Sequence, residues 1–231
     1  MILCEGKTDN VYLKYAIRSL YGHFPDLAEI RNGKIWLKVR LYKLYRRRKK
    51  RPSSTARILG LDDGGTGALK SFIRGYETET DRFSAPGQEQ PVIVLYDNDS
   101  GAKAIQGSFK AYGKNPNAND PFVYLVRNLY AVPTPLVGAT KESKIEDFFD
   151  ANTKATKIGG KTFNPENKFD KNTQYSKEIF AQQVVRAGAA TINFDGFRPL
   201  LTKLVEVIRW HAANRSAASP LRAAAGTAQN P

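Results

Sequence analysis

This sequence has few cysteines and histidines, the residues that form disulfides, thiolate metal sites and histidine-based active sites. Its 231 residues include one cysteine and two histidines, which are Cys4, His23 and His211. One cysteine excludes an internal disulfide and a cysteine-cluster metal site, and two histidines are too few for a histidine-rich one. We expect all three residues to be structural, with Cys4 in the core. Any catalysis then has to rely on carboxylates, lysines, arginines and hydroxyl groups.

Long apolar runs are also missing. No run approaches the ~20 residues that cross a bilayer, and the first residues lack the pattern of a secretory signal peptide. We therefore expect a cytoplasmic protein. A hydrophobic fraction of 41% with 11% aromatic residues excludes general disorder.

Acidic residues are in the minority, with 22 Asp and Glu against 36 Lys and Arg and a formal net charge of +14. Much of the excess lies in residues 31–57, a segment without any acid. Its twelve cations are Arg31, Lys34, Lys38, Arg40, Lys43, Arg46, Arg47, Arg48, Lys49, Lys50, Arg51 and Arg57. Such a field attracts polyanions, and nucleic acid is a commoner partner than anionic lipid, which usually needs an amphipathic helix or a lipid anchor as well. We predict a nucleic-acid partner and no membrane.

Seven cations of this segment are predicted to bind nucleic acid through its phosphates. They are Lys43, Arg46, Arg47, Arg48, Lys49, Lys50 and Arg51. The aromatic residues Trp36, Tyr42 and Tyr45 alternate with cations and could stack on unpaired bases. For Trp36 and Tyr42 we expect core packing, with base stacking as the alternative.

Apolar runs and helical patterns alternate along the chain. Strands are predicted at 1–4, 56–61, 92–96, 122–126 and 129–132. Helices are predicted from Thr8 to 20, after the turn at 62–65 with Leu69, Phe72 and Ile73 on it, up to about 112, at 176–187 and at 197–213. This alternation predicts an α/β fold with a mostly parallel sheet flanked by helices. We expect a main domain over 1–150 with the basic insertion at 31–57, then a loop and C-terminal helices over 151–213, and a flexible tail over 214–231. Because a strand is predicted to start at Met1, we expect this chain to be one module of a longer protein.

Two acidic motifs follow predicted strands. Glu5-Gly6-Lys7-Thr8-Asp9 follows the first strand, and Asp97-Asn98-Asp99 follows the apolar run at 92–96. Ligands of parallel α/β sheets gather at the carboxyl ends of the strands, and carboxylate oxygens suit Mg²⁺. The alternative is purely local, because aspartates and threonines at such positions also cap helices and build turns.

Taken together, Glu-Gly-x-x-Asp and the later Asp-x-Asp resemble the Toprim domain of topoisomerases, bacterial primases and overcoming-lysogenization-defect (OLD) nucleases. The glycines Gly64 and Gly65 and the segment at 145–149 resemble further parts of OLD-type and retron-borne examples. Residues 2–10 and 194–201 look most like the Toprim module fused behind a retron reverse transcriptase. A polymerase motif of the Tyr-x-Asp-Asp type is absent from the sequence, so no polymerase activity is expected.

The resemblance implies a set of site residues. Glu5, Asp97 and Asp99 would bind one or two Mg²⁺ or Mn²⁺ ions, and Glu5 has the alternative role of general base. Asp9 and Glu146 are candidates for a second metal, and Gly6, Gly64 and Gly65 for a loop near the phosphate. Lys177 would stabilise charge on the phosphate, or else is an ordinary solvated lysine.

The implied function is a metal-dependent nuclease that acts on DNA or RNA as the effector of a retron anti-phage defence system. Its partners would be the retron reverse transcriptase, in cis or in trans, and the RNA–DNA product of that enzyme. The alternative is a non-catalytic module that holds this product.

Overall fold

The computed structural model describes residues 1–43, 61, 65–82, 88–116, 120–166 and 168–214. The basic run at 46–51, most of the strand predicted at 56–61, Gly64 and the predicted tail from 215 onward lie outside these residues. Leu61, the last residue of that predicted strand, is described and is fully buried.

The described residues form strands and helices along the whole of their length. The strands are β1 (Ile2–Cys4), β2 (Ala28–Arg31), β3 (Lys34–Leu37), β4 (Val92–Tyr96), β5 (Val123–Val126), β6 (Leu129–Pro133), β7 (Thr162–Phe163) and β8 (Gln174–Tyr175). The helices are α1 (Lys7–Ser19), α2 (Gly65–Asp81), α3 (Ala102–Phe109), α4 (Ala151–Lys154), α5 (Lys177–Ile179), which continues as a π-helix over Phe180–Arg186, and α6 (Arg198–Ala213). Short 3-10 helices lie at Tyr21–His23, Lys110–Tyr112, Ile145–Phe148 and Asp195–Phe197.

A four-stranded sheet in the order β1-β4-β6-β5 forms the centre of the molecule. Strand β4 runs parallel to both β1 and β6, and β5 is antiparallel to β6. This confirms the predicted α/β class with a mostly parallel sheet flanked by helices. None of the helices in the described part of the chain is long and apolar enough to cross a membrane.

Different helices cover the two faces of the sheet, because successive side chains of a strand point to opposite sides. On one face Cys4 and Leu95 pack with α1, α5, its π-helical continuation and α6. On the other face Leu3, Val94 and Tyr96 pack with α2 and α3. The last residues of β1 and β4 are buried on both faces of the sheet, which determines where the next side chains point.

The segment after α1 differs from the prediction. Strands β2 and β3 form an antiparallel hairpin, closed by Asn32 and Gly33, whose φ angles are 50° and 70°. Both angles lie in the left-handed region that a two-residue hairpin turn requires and that Asn-Gly supplies. Trp36 on β3 is 54% exposed, so the prediction that it belongs to the core is wrong. Tyr42 is 5% exposed, as predicted.

Helix boundaries differ from the prediction by small shifts. Helix α1 is capped by Gly6 rather than Thr8, because the Asp9 carboxylate accepts the Gly6 N–H at 2.7 Å. The segment predicted as a helix at 176–187 takes the wider π form over Phe180–Arg186, which buries Phe180 and Val184. The loop predicted at 150–173 contains α4 and β7.

Candidate functional site

Glu5 and Asp97 leave the sheet at the same edge. Their strands β1 and β4 are neighbours and parallel, with Cys4 beside Leu95. Since Cys4 and Leu95 face α1, the alternation of side chains directs Asp97 to the α1 side and Glu5 to the α2 side. The two carboxylates are therefore close along the sheet edge and point to different sides of it.

An acidic cluster lies on the α1 side of this edge, and we define it as Asp9 and Glu146, which are buried, with Asp97 and Lys177, which are half-buried. Asp9 comes from the first turn of α1, Asp97 follows β4, Glu146 lies in the 3-10 helix after β6, and Lys177 begins α5. Asp97 Oδ1 accepts the Ile145 N–H at 3.0 Å. Lys177 Nζ lies 3.0 Å from Glu146 Oε1, and the Glu146 side chain is 3% exposed.

The pKa values of the acidic cluster reflect its burial and crowding. Burial, followed by the charge of Glu146, raises the pKa of Asp9 to about 7. Burial, followed by Asp9 and Glu146, raises the pKa of Asp97 to about 8. Burial also raises the pKa of Glu146, although Lys177 opposes this. Burial acts to lower the pKa of Lys177, but the carboxylates, Glu146 first, outweigh it and the pKa is raised.

These shifts mean that the cluster resists full ionisation. Three carboxyl groups face one ammonium group, so complete ionisation leaves a formal excess of two negative charges in a poorly solvated place. A divalent cation would compensate this excess.

The donors of the cluster fit Mg²⁺ or Mn²⁺ in their chemistry, since all three are carboxylates. Glu146 Oε2 is buried and accepts no hydrogen bond from the described residues, so it has a free lone pair to offer. In the part of the chain that the structure describes, no three His, Cys, Asp or Glu side chains have the mutual geometry of a metal site. Mg²⁺ is often held by one or two carboxylates together with waters and substrate phosphates, and such a site does not require three protein ligands.

Glu5 is held by helix α2 rather than by the acidic cluster. Thr66 Oγ1 donates to Glu5 Oε1 at 2.6 Å, and the Gly65 N–H donates to the Glu5 carbonyl at 2.8 Å. Gly65 has a φ angle of 81°, a conformation that glycine adopts without strain. Thr66, which the sequence did not single out, therefore fixes the position of the Glu5 carboxylate.

Asp99 lies beyond the cluster in a turn. Its Oδ1 accepts the Gly101 N–H at 2.8 Å, which is the local role that the sequence left open as an alternative. Lys144, another residue not singled out from the sequence, pairs with Glu166 at 2.9 Å. Glu166 chiefly, with further contributions from Asp99 and Asp97, raises the pKa of Lys144. Asp97 and Asp99 thus share Lys144 as a cationic neighbour at the sheet edge.

Of the remaining predicted site residues, Gly6 and Lys43 belong to the described part of the chain. A Cβ on Gly6 would lie 3.1 Å from Asp9 Oδ1, so this glycine leaves room for the capping carboxylate. Lys43 is exposed, and its six predicted companions at 46–51 lie outside the described residues.

Cys4 ends β1 at the carboxylate edge but has its side chain in the core, and neither histidine belongs to the acidic cluster. His211 is buried, with Nδ1 2.9 Å from the Tyr130 hydroxyl and Nε2 2.9 Å from the Gln88 carbonyl. Cys4 is buried on β1, and burial raises the pKa of its thiol well above the usual value. His23 is exposed.

Searches with this chain match no model of a known protein family and no solved structure. The function therefore has to be inferred from the residues of the chain and their geometry.

Proposed function

We propose that this chain is a divalent-metal-dependent nuclease with a Toprim-type site at the carboxyl ends of β1 and β4. The observation that carries the proposal is the acidic cluster, in which Asp9, Asp97 and Glu146 meet in a poorly solvated place, so that desolvation and then mutual repulsion raise the pKa of Asp9 to about 7 and that of Asp97 to about 8. A fold gains no stability from such crowding, and strongly perturbed carboxylates at a strand edge are characteristic of functional sites.

One or two carboxylates out of Asp97, Asp9 and Glu146 would hold Mg²⁺ or Mn²⁺ together with waters and substrate phosphate, with Glu5 and Asp99 available at the same edge. Such an ion, when bound, neutralises the phosphodiester and lowers the pKa of a bound water. Lys177 supplies an ammonium group that can stabilise negative charge developing on the phosphate. Glu5, oriented by Thr66, is placed to act as a general base or as a further ligand.

The charge distribution favours catalysis over simple binding. Carboxylates repel phosphates, so a module that only binds nucleic acid gains nothing from an acidic cluster unless a cation intervenes. The net charge of +14 supplies the long-range attraction that brings a polyanion to the surface.

The biological setting is proposed on the resemblance of the motifs. The chain would be the effector module of a retron anti-phage defence system and act with the retron reverse transcriptase and its RNA–DNA product, in cis or in trans.

A non-catalytic module that binds this product is the second candidate. It is favoured by the local hydrogen bonds of Asp9 to Gly6 and of Asp99 to Gly101, which show that both carboxylates also have structural roles.

A cleavage assay separates the two candidates. Labelled single-stranded DNA, duplex DNA and total RNA are incubated in EDTA, Mg²⁺ or Mn²⁺ with the native chain, the D97A/D99A variant and E206A. Glu206 is an exposed acid on α6 and serves as the matched control. We expect metal-dependent cuts that are lost in D97A/D99A and kept in E206A. Cuts that survive in D97A/D99A would contradict the proposed site, and intact binding without any cuts would favour the binding module.

A further inference from the structure

Residues 34–41 include four exposed side chains. Exposed and half-buried residues alternate strictly along this segment. The half-buried members Ile35, Leu37, Val39 and Leu41 pack against the core below α1. Lys34 and Trp36 lie on β3, where successive side chains point to opposite sides, so both face outward, and two further exposed side chains follow where the chain bends after β3. We call these four exposed residues the basic ribbon. Its members are Lys34, Trp36, Lys38 and Arg40.

Trp36 is the unusual member of the basic ribbon. Its side chain is 54% exposed, and within the described residues no aromatic ring packs on it. The other tryptophan, Trp210, contacts the rings of Phe122, Tyr124 and Tyr130. An exposed indole on a rigid hairpin contributes little to the core and offers a flat face for stacking.

The charge around Trp36 is positive. Lys34 and Lys38 flank it on β3 and just beyond, and Arg31 lies opposite Lys34 in the hairpin. Glu29, across from Trp36, is paired with Arg31 and lies 3.9 Å from Lys38. The face around Trp36 therefore keeps a cationic excess.

The basic ribbon leads toward the acidic cluster. After the hairpin, Arg40–Tyr42 joins the outer edge of β1, where the Ile2 N–H donates to the Arg40 carbonyl and the Tyr42 N–H to the Ile2 carbonyl, both at 2.8 Å. This bridge is parallel, so the segment runs in the direction of Glu5. Asn10 Nδ2, one residue from Asp9, donates to the Tyr42 carbonyl at 2.7 Å. Tyr42 follows Trp36 by six positions, which limits their Cα atoms to about 20 Å apart.

We propose that the basic ribbon binds single-stranded nucleic acid, with Trp36 stacked on one base and Lys34, Lys38 and Arg40 on phosphates. This inference rests on the proposed function, because it names the substrate class that the ribbon delivers to the acidic cluster. Stacking requires an unpaired base, which a duplex does not offer. The contacts use phosphates and base faces, which single-stranded DNA and RNA share.

Tryptophan fluorescence tests the stacking directly, because the chain has two tryptophans. W210F leaves Trp36 as the sole reporter, and W36F leaves Trp210. Oligo-dT and oligo-rU are titrated in EDTA, so that cleavage cannot interfere, and the two series distinguish DNA from RNA. We expect quenching in W210F and none in W36F. Equal quenching in both variants, or in neither, would overturn the proposal.

Affinity gives the second measurement. In fluorescence anisotropy with labelled oligonucleotides, W36A is expected to weaken binding about 10- to 100-fold, and W36F much less, because a phenyl ring still stacks. Duplex DNA of the same length should bind the native chain and W36A equally. Unchanged single-strand affinity in W36A would overturn the proposal. So would binding to vesicles of anionic lipid, reported by Trp36, without binding to either oligonucleotide.

The results of these experiments distinguish a failure of this inference from a failure of the proposed function. Normal binding by W36A, with cleavage lost in D97A/D99A, would refute the ribbon and leave the nuclease. Quenching by Trp36 and weaker binding by W36A, without cleavage in any metal, would support the ribbon and refute the nuclease.

Discussion

Lys177 Nζ lies 3.0 Å from Glu146 Oε1 and ties the C-terminal helices to the carboxylate edge of the sheet. Glu146 follows the last strand of the sheet, whereas Lys177 starts α5, beyond the domain boundary that the sequence predicts at residue 150. Next to it, Lys7 of α1 pairs with Glu178. The proposed site therefore needs both parts of the chain, and the 151–213 segment supplies its central cation.

Replacing Lys177 by methionine should destabilise the fold, because Glu146 would keep a buried charge without a partner. Removing one member of a buried pair costs about 3–5 kcal/mol, and since Lys177 is 29% exposed we expect the lower end. Thermal unfolding should show a Tm lower by roughly 5–10 °C.

The double variant K177M/E146Q serves as the control for this prediction. It removes both charges and should recover most of the lost stability without recovering cleavage. A double variant as unstable as the sum of the two single changes would show that the pair is not coupled.

Asp97→Asn should stabilise the protein while it abolishes cleavage. The amide oxygen can still accept the Ile145 N–H, but the charge that crowds Asp9 and Glu146 is gone. Because the fold opposes the ionised form of Asp97, and each pKa unit of that opposition corresponds to about 1.4 kcal/mol of stability, a higher Tm than that of the native chain is expected at pH 8.5. At pH 5 the gain should be smaller, and it should vanish below about pH 4, where Asp97 is protonated in the unfolded chain as well. A variant that is less stable than the native chain at pH 8.5 would contradict this account.

Stability in EDTA should fall as the pH rises from 5 to 8.5. The folded-state pKa values of Asp9 and Asp97, about 7 and about 8, lie above the ordinary value, so the fold favours their protonated forms. Their contribution is fully present below about pH 4 and is lost as the pH passes through 7 to 8. Urea unfolding at several pH values measures this slope, and it should be shallower in D97N.

Mg²⁺ should reverse part of this loss, because it binds the ionised carboxylates. The rise in Tm on adding Mg²⁺ should be larger at pH 8.5 than at pH 5 and absent in D97A, as mass action on the folded state requires. Equal shifts in the native chain and D97A would place the bound metal elsewhere.

Much of the fold was predictable because burial leaves a strong sequence pattern. The apolar run at 92–96 is a buried central strand, and Leu69, Phe72 and Ile73 line the buried face of α2 as their spacing indicates. The hairpin at 28–37 escaped prediction although Asn32-Gly33 is a strong hairpin turn. On the sequence alone, the cationic residues around this turn indicate only a positively charged segment.

The grouping of the site residues depends on side-chain direction, which motif spacing does not give. Glu5 and Asp97 follow neighbouring strands, but the strand register that places Cys4 beside Leu95 directs their two side chains to opposite sides of the edge. Asp97 therefore meets Asp9 and Glu146, whereas Glu5 meets Thr66. Only the pairing of β1 with β4 contains that information.

Thr66→Val should slow cleavage by removing the hydroxyl that orients Glu5. The substitution keeps the side-chain shape, so we expect kcat to fall about 10-fold with little change in KM or Tm. T66S, which keeps the hydroxyl, should restore the rate. Thr80 on the same helix donates to the carbonyls of Tyr76 and Glu77, and T80V is the matched control. Equal rates in T66V and T80V would exclude a positioning role for Thr66.

Gly196→Ala should strongly destabilise the fold and disturb the acidic cluster from a distance. A Cβ at Gly196 would lie 2.2 Å from the Phe148 carbonyl oxygen, so the 3-10 helix that carries Glu146 would have to move. Overpacking of this kind costs about 3 kcal/mol or more, equivalent to a Tm lower by roughly 6–12 °C. In α2, Gly67 has nothing within 4 Å of the same added atom, and G67A should be neutral or slightly stabilising. An unchanged Tm in G196A would mean that Phe148 and Gly196 are not in contact, and Glu146 would then lose its support from the C-terminal segment.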